Sequence, residues 1–354
     1  MSGRLRKWNT RVDDYLQLKA AEGGNIVAMT RVGAALRERG ELAEAESWYR
    51  RAALGGDRVA MTVLAHLLAD RGAHDEAERW YHEAALAGDP RGMVGLGRSA
   101  ERRGRFEDAE YWLRAAAETG DAEAMGALGH LLAERGRGDE AEDWCRRAAS
   151  TGNTAAMLDV GMVLSKQGRQ SDAARWWREA VDAGDLAGTC LLGRQAERFG
   201  RAKDAETWYR QGATGGNVEA AVRLGLLLHR RGDVDEAEAW YLDAAEAGDT
   251  AAMTNLGVLA RNRGDEGEAA AWYRKAAENG SVPAMTNLGH LAEAREDLAQ
   301  AEKFFRAAAE TGDVQGMLSL ARMLHGRGSV NEAGTWIARA EEAKDEARGE
   351  RDRT

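Results

Sequence analysis

Apolar and polar positions recur along this chain every 32 residues, with no insertion or deletion. Asn25, Asp57, Asp89, Asp121, Asn153, Asp185, Asn217, Asp249, Ser281 and Asp313 mark ten starts. An aromatic follows 23 positions later each time: Trp48, Trp80, Trp112, Trp144, Trp176, Trp208, Trp240, Trp272, Phe304 and Trp336. Ten units therefore fill residues 25–344 as one solenoid domain, with a leader over 1–24 and a charged tail over 345–354.

Numbered from its first residue, each unit predicts two antiparallel helices. Position 1 is Asp, Asn or Ser, the types that accept from free N–H groups at a helix start. Pro90 and Pro283 fall within the first turn, where no intrahelical donor is needed. Apolar residues at 4, 5, 8 and 12 make one stripe. Position 16 is Gly40, Gly72, Gly104, Gly136, Gly168, Gly200, Gly232, Gly264 or Gly328, which ends the first helix at φ > 0. Glu296 stands there in the ninth unit, so that turn is expected to be strained or of another type. The second helix carries Ala at 21, the aromatic at 24 and usually Ala at 28, again one face. Position 9 is Gly in eight units, although each costs about 1 kcal/mol against Ala inside a helix. The expectation is a close helix approach, with the position-24 Trp filling the space beside it. Residues 8–23 partly keep phase and read as a degenerate capping helix; the tail reads as a solvated, frayed end.

The stretch Gly120–Gly152 resembles two related repeat families. Leu128-Gly129, Gly136 and Ala141 have the tetratricopeptide spacing; Trp144, Ala148-Ala149 and Gly152, then Asn153 and Ala156-Met157, look like the Sel1-like signature. The unit is two residues shorter than the usual tetratricopeptide repeat and lacks the Gly-x-Gly-Val insert of Sel1-like units. The resemblance implies an all-α, right-handed superhelical solenoid of antiparallel helix pairs. It also implies a concave face built from the first helices.

On that implication, positions 6, 10 and 13 face a groove. Position 10 supplies His66, Arg98, His130, Met162, Arg194, Leu226, Val258, His290 and Arg322; Asn255 and Asn287 stand beside Thr254 and Thr286. Basic groups, an apolar middle and amides that bond an extended backbone would suit a protein or peptide with acidic groups and apolar anchors. The competing explanation is drift on a solvated surface, and for Leu226 and Val258 plain packing beneath neighbouring units.

Composition changes this picture little. The chain has 354 residues, 49 basic and 59 acidic, for a net charge of -10, which argues against nucleic acid as partner. No run of about 18 apolar residues exists to span a membrane. Two cysteines without a CxxC argue against a disulfide scaffold and point to a cytoplasmic chain. The seven histidines are too scattered for a metal site, and no phosphate loop or HExxH appears, so neither cofactor nor catalytic residue is assigned. Pairs such as Glu46 and Arg50 or Glu206 and Arg210 read as i,i+4 helix decoration. The function expected is a non-enzymatic protein- or peptide-binding scaffold. The alternatives are a self-assembling structural or regulatory solenoid that forms a homo-oligomer, a homodimer in the simplest case, and, less favoured by the charge, a nucleic-acid-binding helical repeat protein.

Overall fold

Position 1 closes each helix start as its chemistry demands. Asn25 accepts from Ala28 N–H, Asp57 from Val59 and Ala60, Asp121 from Ala124, Asn217 from Ala220 and Asp249 from Ala252. The computed structural model describes residues 16–351, and among these the structure is helical throughout, with no strand.

The chain forms two compact units, Met1–Glu179 and Ala180–Thr354. In the first, α1 (16–22) precedes α2 (Ile26–Glu38), α3 (Leu42–Leu54), α4 (Arg58–Asp70), α5 (His74–Leu86) and α6 (Pro90–Arg102). Then come α7 (Phe106–Glu118), α8 (Ala122–Glu134), α9 (Gly138–Ala149), α10 (Thr154–Lys166) and α11 (Gln170–Asp182), in which the unit boundary falls. The second unit continues with α12 (Ala187–Arg198), α13 (Ala202–Thr214), α14 (Val218–Arg231), α15 (Val234–Glu246) and α16 (Thr250–Asn262). It ends with α17 (Glu266–Glu278), α18 (Val282–Ala294), α19 (Leu298–Glu310), α20 (Val314–Gly326) and α21 (Val330–Arg351). Even-numbered helices from α2 are the first helices of the repeats. Within each unit neighbouring helices pack in chain order, which is an all-α repeat solenoid.

Of the capping helix expected over 8–23, residues 16–22 are helical; residues 1–15 lie outside the described residues. The tail does not fray at 345, because α21 runs on to Arg351. The sixth repeat starts late: α12 begins at Ala187, whose N–H donates to Asp185 at 3.0 Å, while Leu186 takes the cap position.

The core is the expected stripe. Leu64, Leu96, Leu128 and Val160 at position 8, and Ala45, Ala77, Ala109 and Ala141 at position 21, are 0–5% exposed. One packing expectation is corrected. The side chain against the position-9 glycine is that of position 25, not the Trp at 24. A methyl group on Gly225 would lie 2.6 Å from the Tyr241 ring, on Gly257 2.5 Å from Tyr273, and on Gly161 2.2 Å from Trp177. Tyr49, Tyr209, Tyr241, Tyr273 and Phe305 are at most 1% exposed, whereas Trp48, Trp80, Trp112 and Trp240 are half-buried. The position-24 rings take basic groups on their faces instead, as Arg51 does over Trp48 at 4.2 Å and Arg147 over Trp144 at 4.0 Å. Repeat 2 shows the rule by exception. Ala65 replaces its glycine, and Tyr81 instead lies against the next first helix, where a methyl on Gly95 would stand 2.3 Å from the ring.

Glycine closes both turns of each of the first eight repeats. Gly264 and Gly328 have φ of 85°, and Glu296, at the equivalent place, has φ 59° as the single non-glycine residue with positive φ among the described residues.

Candidate partner-binding face

The two long faces of the repeats use their charges differently. On the second-helix side, Glu at position 22 bridges two arginines. Glu46 holds Arg50 at 3.0 Å in its own helix and Arg71 at 2.8 Å from the next repeat. Glu110 holds Arg114 at 2.8 Å and Arg137 at 2.7 Å; Glu206 holds Arg210 at 2.9 Å and Arg231 at 2.6 Å. Arg50 and Arg210 also reach forward to Glu76 and Glu236, each at 2.5 Å. The i,i+4 pairs seen in the sequence are thus half of a network that joins successive repeats. Hydrogen bonds from Arg114 and from Arg210 hold the Glu110 and Glu206 carboxyls below the usual Glu range.

Position 6, expected in the groove, is instead mostly buried between first helices. Thr30 donates to the next cap residue, Asp57, at 2.7 Å, and Thr62 donates to Asp89 at 2.9 Å. Thr254 meets Ser281 at 3.0 Å, and the Cys190 thiol meets Asn217 at 3.5 Å. Thr254 is buried by this contact; Thr286 is buried as well, but its hydroxyl has no hydrogen-bond partner among the described residues.

Position 10 points outward. His66, Arg98, His130 and Arg194 are exposed, as are Leu226 and Arg322; Met162, Val258, Asn255, Asn287 and His290 are half-buried. Val258 packs against the second unit's core. His66 and Arg98 line one cavity of about 530 Å³ in the first unit, with Asp70, Tyr81, Glu101 and Arg102. The displaced Tyr81 ring forms part of its wall and stands edge-on to His66, ring centres 5.2 Å apart. A second cavity, about 320 Å³, takes Arg98 with His130, Gly126 and Asp159. Some of the polar groups are already engaged: Arg98 with Glu123 at 2.8 Å, Arg322 with Glu293 at 2.8 Å, His130 with Glu134 at 3.3 Å. Others are not. Among the described residues the side chains of Asp70, Glu101, Arg102, Asp159 and Arg194 make no hydrogen bond or ion pair. Burial pushes the Asp159 carboxyl above the ordinary Asp range, His130 drawing it slightly back.

Sequence reasoning missed Tyr81 and Asp159, and it placed Gly126 in the groove only as one of the position-6 row. Tyr is the common residue at position 25, so the signal for Tyr81 is Ala65, which replaces the position-9 glycine of its repeat. Burial pushes the Cys145 thiol up to about 12 and Cys190 to about 11, which removes the thiolate at neutral pH. Among the described residues no cluster of His, Cys, Asp or Glu could hold a metal ion, and no helix is long and apolar enough to cross a membrane.

Two models of the tetratricopeptide repeat family match the sequence. One covers residues 62–123 and 191–252, the other 26–54, 122–152 and 250–278. No curated protein matches it. Among solved structures, it is similar to c5321 of uropathogenic Escherichia coli, a protective antigen displaying an SLR fold. The two are 26% identical over 92% of this chain and 79% of that one, with a TM-score of 0.50. A Sel1 repeat protein from Oxalobacter formigenes is 25% identical over 78% of this chain and 90% of its own, with a TM-score of 0.52.

Proposed function

Because the chain belongs to the tetratricopeptide and Sel1-like repeat family, we propose that it is a non-enzymatic scaffold that binds a protein or peptide on the first-helix face. The observation that carries this reading is the contrast in charge pairing. On the second-helix side the position-22 Glu side chains, such as Glu46 and Glu110, and the arginines they bridge are satisfied within the array. The first-helix side keeps Glu101, Arg102 and Asp159 without partners around two adjoining cavities of the first unit. Unpaired charges at a concave surface favour complementary groups on a partner over solvent alone. Acidic groups on that partner would meet Arg102 and Arg194, because Arg98 already holds Glu123.

Affinity capture from the native cell, read by mass spectrometry, tests the reading. Arg102→Glu with Arg194→Glu should lose the captured protein while the melting profile stays unchanged, since exposed substitutions stay within about 0.5 kcal/mol. The control is Arg79→Glu with Lys203→Glu on second helices; Arg50 and Arg210 are unsuitable because they hold the inter-repeat network. Loss of the captured protein in the control, with retention in the Arg102/Arg194 variant, would move the binding face to the second helices.

A further inference from the structure

Repeat 4 departs from the pattern at two positions, one of which borders Asp159 of the following first helix. At position 6, where Thr30 and Thr62 bond the next cap residue, it has Gly126. At position 25, where most repeats insert an aromatic ring, it has Cys145. The change at position 6 removes side-chain volume next to Asp159, whereas Cys145 packs against Gly129 and does not line the recess. A methyl group on Gly126 would meet only the Asp159 Oδ2 atom, at 3.6 Å. What remains is the cavity of about 320 Å³, with Asp159 half-buried in its wall.

Asp159 has no partner there among the described residues. The nearby cations are committed elsewhere: Arg98 to Glu123 at 2.8 Å and His130 to Glu134 at 3.3 Å. Glu101, the other unpaired group in the wall, is also an acid. A carboxylate taken out of water without a counter-charge is costly, and an incoming cation relieves that cost. The opening is a recess, not a flat fork. A compact ammonium on a flexible stem enters such a space more readily than a planar guanidinium, which favours two parallel contacts.

We infer that the Gly126–Asp159 recess between α8 and α10 is a lysine pocket, which receives the side-chain ammonium of a protein partner bound on this face. This rests on the binding reading above and adds a specificity determinant to it. Asp159 accepts the ammonium N–H groups, and Gly126 keeps the entrance open.

The test uses the full chain and fluorescently labelled short peptide pools, alike except for one fixed position that is Lys, norleucine or Glu, read by anisotropy. The Lys pool should bind at least about tenfold more tightly than the norleucine pool, a charge-assisted contact being lost in the latter. Asp159→Asn should remove that preference, bringing the Lys and norleucine pools to the same affinity. Gly126→Thr should do the same by filling the recess, its hydroxyl directed toward Asn153 as Thr62 is toward Asp89. Thermal melting of both variants checks that they fold. A lysine preference that survives both variants overturns the inference, as does binding of all pools alike; the peptide-binding reading stands in both cases. Saturation by 1,5-diaminopentane with no peptide preference would assign the recess to a free diamine and reject a protein partner's lysine. Failure of every pool to bind would remove both readings together.

Discussion

Replacing Glu296 with glycine should make the protein more stable, although it shortens a side chain and removes a charge. Glu296 is held at φ 59°, where nine other repeats use glycine with φ between 69° and 97°. The turn is otherwise ordinary. Glu296 N–H donates to Glu293 C=O and Asp297 N–H to Ala292 C=O, both at 3.0 Å, as Gly264 and Asp265 do one repeat earlier. The Glu296 side chain is exposed and makes no hydrogen bond or ion pair among the described residues, so its removal breaks nothing. A left-handed conformation costs a residue with a Cβ about 1–2 kcal/mol. Glycine's extra freedom in the unfolded chain takes back about 0.4–1 kcal/mol. The net gain is about 0.5–1 kcal/mol. In a repeat array that gain is local, so amide exchange of α18 and α19 is a better assay than a single melting temperature. Glu296→Ala serves as control, because it removes the charge and keeps the Cβ; it should change stability little. A loss on Glu296→Gly, or an equal gain from Ala, would refute the strain argument.

Other expectations follow from the packing and the charges. Gly225→Ala should cost about 1–3 kcal/mol through the Tyr241 clash, and a double-mutant cycle with Tyr241→Ala in urea unfolding should show a coupling of the same order. Trp144, at 9% exposed, should cost about 3–5 kcal/mol when cut to Ala, measured the same way. The carboxyls of Glu110 and Glu206 are depressed in the folded state, so their contribution is present above the usual Glu value of 4.5 and is lost as pH falls through the lower folded value. Melting monitored by circular dichroism should therefore fall below that pH, and added salt should weaken the dependence. Asp159 is shifted the other way; its stabilising contribution belongs to acid pH and is lost as pH rises through its folded value. Asp159→Asn should raise the melting temperature at pH 7, and the difference from wild type should vanish in acid.

The fold was legible because one constraint recurs ten times in register. Caps at position 1, glycine at 16 and Ala at 21 each allow few substitutes, and repetition turns weak local signals into a strong one. Which aromatic row enters the core was not legible. Positions 21, 24 and 28 satisfy helical spacing, and so do 21, 25 and 28. The uniform Trp row drew attention, while the buried row varies through Tyr81, Leu113, Cys145, Trp177 and Phe305. Identity is kept where a half-exposed ring meets arginine, and only volume is kept where the glycine is fitted. Position 6 failed for another reason. Thr62 and Asp89 are 27 residues apart, so the bond between them has no trace in the period of one helix. The recess at Asp159 follows the same logic, since it arises from an absence, Gly126, that gains meaning only once successive helices are set side by side.

The carboxylate that joins two arginines gives the array an interchangeable joint. Glu78 takes Arg105 from the next repeat at 2.5 Å, and Glu110 takes Arg137 at 2.7 Å, each from position 22 to position 17. Thr62 finds Asp89 by the same forward step of one repeat. Excision of residues 89–120 would bring Glu78 to Arg137 and Thr62 to Asp121, like for like. Gain or loss of a whole repeat by unequal recombination therefore leaves the seam chemically complete, whereas a slip of any other length breaks the joint it crosses. The length of the protein is free to vary, in steps of one repeat, in a way that its period is not.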